Sequence, residues 1–245
     1  MESKKDIISY LNNVSILLPA LLCLTLGLIV TTITTDFFLI PKQILAGAVV
    51  LISLFIFSLR TIIEGSVRLR RTIFDLPIIL FTLAVFLSAI FSLNRFDSLI
   101  AFIPFLFIVL AFFIIVNIVR SKNSVFLLIA SLLLSGVLLS AISILSFFKI
   151  YLLPFPLTQT QAFTPLGSFL DQAIYLGLLL PIALYFVLSR SQRILKTLGF
   201  SIISIILLLG LLVTIYGIFN PDLSGQKLVI LTLETGFQTA MASIS

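Results

Sequence analysis

The sequence predicts an all-α, polytopic integral membrane protein: a helix bundle of about seven transmembrane spans, N-terminus in the cytoplasm and C-terminal tail outside. Three observations carry this. The first is composition: 60% of the 245 residues are hydrophobic and only 10% are charged, where a soluble domain carries about 25% charged residues. Such a chain cannot cover its own surface with polar groups in water. The second is that the apolar residues gather into seven continuous runs near the roughly 20 residues that a spanning helix needs. The third is the placing of the basic residues between those runs.

The first run, residues 14–34, follows Lys4 and Lys5 and is long enough to cross a bilayer. It ends in a threonine-rich stretch without a small-x-small cleavage site, so it reads as a retained anchor, not a cleaved signal. Thr31, Thr32, Thr34 and Thr35 read as interfacial. The second run, residues 43–59, is the shortest and extends through Arg60 to Ile63 if a full span is required. The others are residues 74–93, 98–119, 124–147, 172–189 and 197–219. Helix is forced on each of them, because in hydrocarbon every backbone N–H and C=O must find its partner within the segment or in a closed barrel. The runs are continuous, not alternating, which argues against a β-barrel.

Basic residues then set the orientation. With the N-terminus inside, the inner side holds Lys4, Lys5, Arg60, Arg68, Arg70, Arg71, Arg120, Lys122, Arg190, Arg193 and Lys196, eleven of the fifteen Lys and Arg. The outer side keeps Lys42, Arg95, Lys149 and Lys227. The bias alternates correctly at every loop. The net charge of +6 is therefore a topological signal, and a nucleic-acid partner is excluded because these residues do not share one face of a soluble fold. Cys23 is the only cysteine and there is no histidine. An intrachain disulfide and a cysteine metal cluster are thereby ruled out, and the commonest general base and metal ligand are missing. No cofactor and no metal is expected.

On the outer side, residues 36–42 and 94–97 read as tight turns. Residues 148–171 form a longer loop, in which Pro154, Pro156 and Pro165 forbid continuous helix. Tyr151, Phe155 and Phe163 lay that loop at the membrane interface. The tail, residues 220–245, opens on Asn-Pro-Asp and ends with Phe237, Ala240, Met241 and Ile244 at helical spacing. That stripe runs to the last residue without a cap, so we expect an outer-face segment that is cut short.

Four outer-face residues are candidates for substrate binding. Arg95 and Asp97 form a two-charge turn, and an arginine there can make bidentate contacts with phosphate oxygens; an ordinary solvated turn is the favoured alternative. Asp171 and Gln172 follow the most distinctive stretch, Thr164-Pro165-Leu166-Gly167-Ser168, a turn shaped by proline and glycine. Asp171 is read first as a helix cap and second as a site residue. In the fifth run Gly136, Ser140 and Ser143 share a face with Ser131, Ser135 and Ser146 nearby. Close helix packing through small residues is preferred there to a polar path. No run has an ionisable side chain in its middle, which counts against an ion-coupled carrier. Asn13-Val14-Ser15 matches a glycosylation sequon but falls on the inner side and is discounted.

Three stretches together resemble the O-antigen ligase and polymerase superfamily of bacterial envelope proteins. Residues 74–94, from Phe74-Asp75-Leu76-Pro77 to Phe91-Ser92-Leu93-Asn94, are similar to that family's span ending in a small-residue and Phe-Ser turn. Residues 163–178, leading to Pro181, resemble its glycine-containing turn and the span that follows. Residues 233–241 resemble the segment before a glycine-rich stretch and further spans. The resemblance covers the chain from Phe74 onward. It implies a bacterial inner-membrane protein of polysaccharide biosynthesis. Such a protein moves a polyprenyl-diphosphate-linked glycan to an acceptor on the outer face, as a metal-independent glycosyltransferase similar in architecture to the C-type enzymes. In the ligases arginines hold the diphosphate and an outer histidine activates the acceptor. The partners implied are membrane lipids and that glycan carrier.

The chain departs from the pattern at telling points. It has no histidine. Gln161, Ala162 and Phe163 occupy the place of an arginine before the glycine turn, and Ser168-Phe169-Leu170 stands where many members show Asn-Pro-Asn. No catalytic residue is carried over, and we expect an N-terminal portion or a degenerate relative that is not competent alone. An uncoupled permease subunit and a non-catalytic membrane scaffold are the competing readings. The permease reading predicts internal repeats, and none is evident.

Overall fold

The computed structural model describes residues 2–31, 38–65, 69–119, 121–152, 163–188 and 194–220, with the backbone alone for residues 2–9 and 194–197. The tail expected on the outer side, the middle of the long loop before α6 and the third stretch of resemblance lie outside the described residues. Seven helices follow one another: α1 (Glu2–Thr25), α2 (Leu39–Glu64), α3 (Asp75–Ile90), α4 (Arg95–Ile118), α5 (Lys122–Phe147), α6 (Phe169–Leu188) and α7 (Ile194–Phe219). Among the described residues there is no strand.

Five of the helices are long and apolar enough to cross a membrane: α2, α4, α5, α6 and the Leu198–Phe219 part of α7. The apolar parts of the other two, Tyr10–Thr25 and Asp75–Ile90, are shorter. Helix surfaces are apolar along their length. Leu80, Phe81, Leu178 and Leu209 are examples of large side chains exposed at mid-helix, which is the arrangement that lipid, not water, tolerates.

The first span differs from the expectation. Residues 14–34 were to be one helix, but α1 begins near the N-terminus and ends at Thr25. Thr25 turns its hydroxyl back onto the Leu21 carbonyl at 2.8 Å, and a turn over residues 26–28 follows. Gly27 and the β-branched residues beyond it are poor helix formers. Pro19 sits inside α1 and removes the hydrogen bond to the Ser15 carbonyl.

The chain forms two compact units, Met1–Leu132 and Leu133–Ser245, with α5 passing from one into the other. In the first unit α2 packs on α1 and α4, and α3 packs on α4. Its core is Val50, Ile114 and Ile118, flanked by Ile16, Phe57 and Phe107. Gly47 lets α2 approach closely: a Cβ there would stand 2.8 Å from the Phe107 ring. Polar links fix the ends. Gly65, at φ 69°, closes α2 with its N–H on the Thr61 and Ile62 carbonyls. Asn117, buried near the end of α4, accepts a 2.8 Å hydrogen bond from the Arg70 N–H and donates one to the Phe113 carbonyl. Asp75 holds the turn before α3 through the Thr72 N–H and hydroxyl. The α3–α4 hairpin is lined by Phe81, Phe86, Phe102 and Phe105, with ring centroids 5.4–5.9 Å apart.

The second unit packs the C-terminal half of α5 with α6 and α7. Gln172 near the start of α6 meets Ser143 near the end of α5, so these two run antiparallel. Gly217 near the end of α7 carries the Phe169 ring from the start of α6, so α6 and α7 also run antiparallel. Small residues set the spacing. A Cβ on Gly136 would stand 2.5 Å from Leu179 and 2.9 Å from Leu207, and one on Gly210 would stand 2.3 Å from the Ser140 hydroxyl. The serine stripe of α5 is thus a packing face: Ser135, Ser140, Ser143 and Ser146 are buried, and Ser131 returns its hydroxyl to the Leu127 carbonyl. α5 ends with Lys149 in the left-handed region at φ 63°. The N–H groups of Lys149 and Ile150 satisfy the Ser146 and Leu145 carbonyls, the pairing that glycine usually makes at this position.

Candidate functional site

The four candidate residues fall into two pairs, one in each unit. Arg95 and Asp97 open α4 after the turn 91–94, and both are exposed. They do not pair with each other. Asp97 instead accepts a hydrogen bond from the Asn94 side chain, and Ser98 donates to Ser92 at 2.8 Å across the turn. Those side-chain links tie the turn together without using Arg95, whose guanidinium stands on the surface. The arrangement is that of a solvated turn in which Arg95 has no partner among the described residues.

In the second unit the turn before α6 is built from its sequence. Thr164, Pro165, Leu166 and Gly167 form a β-turn in which the Gly167 N–H bonds to the Thr164 carbonyl at 2.9 Å. Proline at the second position presets φ, and Gly167 takes φ 98°, which a residue with a Cβ resists. Phe163, Thr164 and Pro165 are buried, so this part of the loop folds inward.

The helix cap is Ser168, not Asp171. The Ser168 hydroxyl oxygen accepts the Asp171 N–H at 3.0 Å, and its proton goes to the Asp171 carboxylate at 2.7 Å. The serine thus caps the third helical N–H, and the Asp171 carboxylate holds the serine hydroxyl in place. Asp171 is exposed and committed to that cap. Its neighbour Gln172 lies about 100° further round the helix and is fully buried. The Gln172 Nε2 donates to the Ser143 Oγ at 2.6 Å. One turn further along α6, the Tyr175 hydroxyl donates to Ser135 at 3.2 Å.

Among the described residues of this unit three buried polar atoms have no hydrogen-bond partner: Gln172 Oε1, Thr164 Oγ1 and Ser140 Oγ. An unsatisfied polar atom in a buried position costs about 1–3 kcal/mol. Such atoms beside a helix entry mark a place where a hydrogen-bonding ligand or water gains most. The sequence names Gln172 as an outer-face candidate, but its burial and its tie to Ser143 needed the structure. Thr164 was missed as a polar group; its place in a Pro-Gly turn was the only signal.

Among the described residues no group of His, Cys, Asp and Glu side chains can hold a metal ion. The chemistry on offer is neutral hydrogen bonding near the entry to α6, with one exposed arginine at the entry to α4. No protein-family model, no curated protein and no solved structure matches this chain. What the fold defines is therefore a class, a polytopic helical protein with five helices able to cross a membrane.

Proposed function

We propose that the chain spans the membrane seven times, N-terminus inside. We assign it to cell-envelope polysaccharide assembly in a bacterial inner membrane, taking a polyprenyl-diphosphate-linked glycan at the outer ends of its helices. This reading follows the resemblance to the O-antigen ligases and polymerases. One observation supports it. The stretch that carries the resemblance most distinctively, Thr164 to Gln172, forms a partly buried turn and helix entry in which the Gln172 amide oxygen and the Thr164 hydroxyl have no partner among the described residues. Neutral groups of this kind suit the hydroxyls of a sugar. In the first unit, taken by itself, Arg95 is exposed at the entry to α4 and is a residue type that suits a diphosphate.

The test is photocrosslinking of the chain in nanodiscs with a polyprenyl-diphosphate glycan bearing a diazirine. Adducts are expected in residues 163–172. Arg95→Ala should weaken carrier binding about ten-fold, the size of one lost charge-assisted contact. Carrier binding unchanged by Arg95→Ala removes that residue from the site. Absence of saturable labelling removes the glycan reading and favours the competing one, a permease subunit or scaffold.

A further inference from the structure

At the opposite ends of α1, α2 and α5, within the first unit, lies a cavity of about 530 Å³. Its polar wall is Asn12, Asn13, Arg60, Ser121, Asn123 and Ser124. None of these has a part in the function proposed above. Arg60 is the organising group. Its Nε bonds to Glu64 at 2.7 Å and its Nη1 to the Asn12 Oδ1 at 2.9 Å. Its side chain is only 12% exposed. Two partners on two helices therefore hold the guanidinium in one orientation. Nη2 has no partner among the described residues, and the same is true of the side-chain amides of Asn13 and Asn123.

Glu64 offsets the charge of Arg60 from the Nε side and does not line the cavity. The start of α5 adds to the field. Ser121 accepts the Ser124 N–H at 3.0 Å and its hydroxyl lies 2.7 Å from that of Ser124. That cap leaves the first turn of α5, with its positive dipole end, at the cavity wall. The cavity is thus rich in donors. Its remaining wall is apolar: Leu17 and Leu127 are 59% and 39% exposed.

We infer that this cavity binds the phosphate of an anionic membrane lipid, Arg60 holding the headgroup and Leu17 and Leu127 lying along its acyl chains. Guanidinium and phosphate match in charge and in fork geometry. A basic cavity between helices at the side rich in Lys and Arg is where lipid headgroups are taken. The apolar wall distinguishes a lipid from a free phosphate, which gains nothing from leucine.

Native mass spectrometry of the full chain, titrated with phosphatidylglycerol and with phosphatidylcholine of equal chain length, tests this. Phosphatidylglycerol should bind first and more tightly. Arg60→Gln should weaken it about ten-fold, as loss of a charge-assisted contact does. Arg70→Gln removes the same charge from an exposed side chain and should change binding less than about two-fold. Equal losses in the two variants would mean general surface attraction and overturn the inference. Should Arg60→Gln fail to fold, Asn123→Leu keeps the Arg60 contacts and should still weaken phosphatidylglycerol binding; unchanged binding overturns the site. Inorganic phosphate or glycerol phosphate binding as tightly as the lipid would overturn the lipid assignment.

Discussion

Gln172 donates a 2.6 Å hydrogen bond to Ser143 and leaves its own carbonyl oxygen unpartnered, both in a fully buried position. The two halves of that amide predict different mutational outcomes. Ser143→Ala strands the Gln172 N–H and should destabilise the chain by about 1–3 kcal/mol. Gln172→Leu removes the donor and the unpartnered acceptor and adds apolar volume, but leaves the buried Ser143 hydroxyl without its partner, so it should cost less than Ser143→Ala. Thermal unfolding in detergent of both variants and of the double variant measures the pair, whose coupling should be about 0.5–1.5 kcal/mol. A Gln172→Leu variant that loses more stability than Ser143→Ala would mean that the carbonyl oxygen is satisfied and the site reading is wrong. Sequence alone reaches this residue only as a neighbour of Asp171. Hydropathy cannot tell which of two adjacent side chains turns inward, because that depends on where the helix starts, and α6 starts three residues before the expected span.

At the scale of the helix, the seven apolar runs were legible because lipid demands them, and each run overlaps a helix. The ends were not. α2 runs from Leu39 to Glu64 where residues 43–59, extending through Arg60 to Ile63 for a full span, were expected; the start was missed by four residues, and the polar last turn is held by Arg60 with Glu64 and closed by Gly65. Contacts between helices were less legible still: Arg60 and Asn12 lie 48 residues apart, and single-sequence periodicity carries no such pairing. The small residues of α5 were legible in kind, and their partner was not. Gly210 of α7 sits against Ser140, where a Cβ would fall 3.0 Å from the Ser140 Cα and nearer still to its side chain. Gly210→Ala should therefore cost about 1–3 kcal/mol by overpacking. Combining it with Ser140→Gly, which removes the atoms in the way, should recover part of the loss. Circular dichroism melts of the three variants check this. A double variant less stable than the sum of its parts would show that the two helices do not meet at these residues.

For the molecule as a whole the open quantity is the number of crossings, and α3 decides it. Its 16 residues rise about 24 Å, against a hydrocarbon core of about 30 Å. Yet basic Arg70 and Arg71 precede it, and Asn94, Arg95 and Asp97 follow the tight turn at its end, so charge at both ends favours a crossing over a surface helix. Three helices, α3, α4 and α5, separate Arg71 from Lys149. If all three cross, those two residues lie on opposite sides; if α3 lies along the surface, only two cross and both lie on the same side. Cys23 is the only cysteine, so Cys23→Ser gives a clean background for Arg71→Cys and Lys149→Cys. A membrane-impermeant maleimide added to intact cells should modify Lys149→Cys and leave Arg71→Cys untouched until the membrane is opened. Labelling of both from outside, or of neither, would make α3 an interfacial helix. The bundle would then have an even number of crossings if α1 spans, and the outer assignment of Arg95 would fall with it. Modification of Arg71→Cys alone would keep the crossings and invert the whole molecule. The charge bias argues against that outcome, because eleven of the fifteen basic residues would then have to face outward.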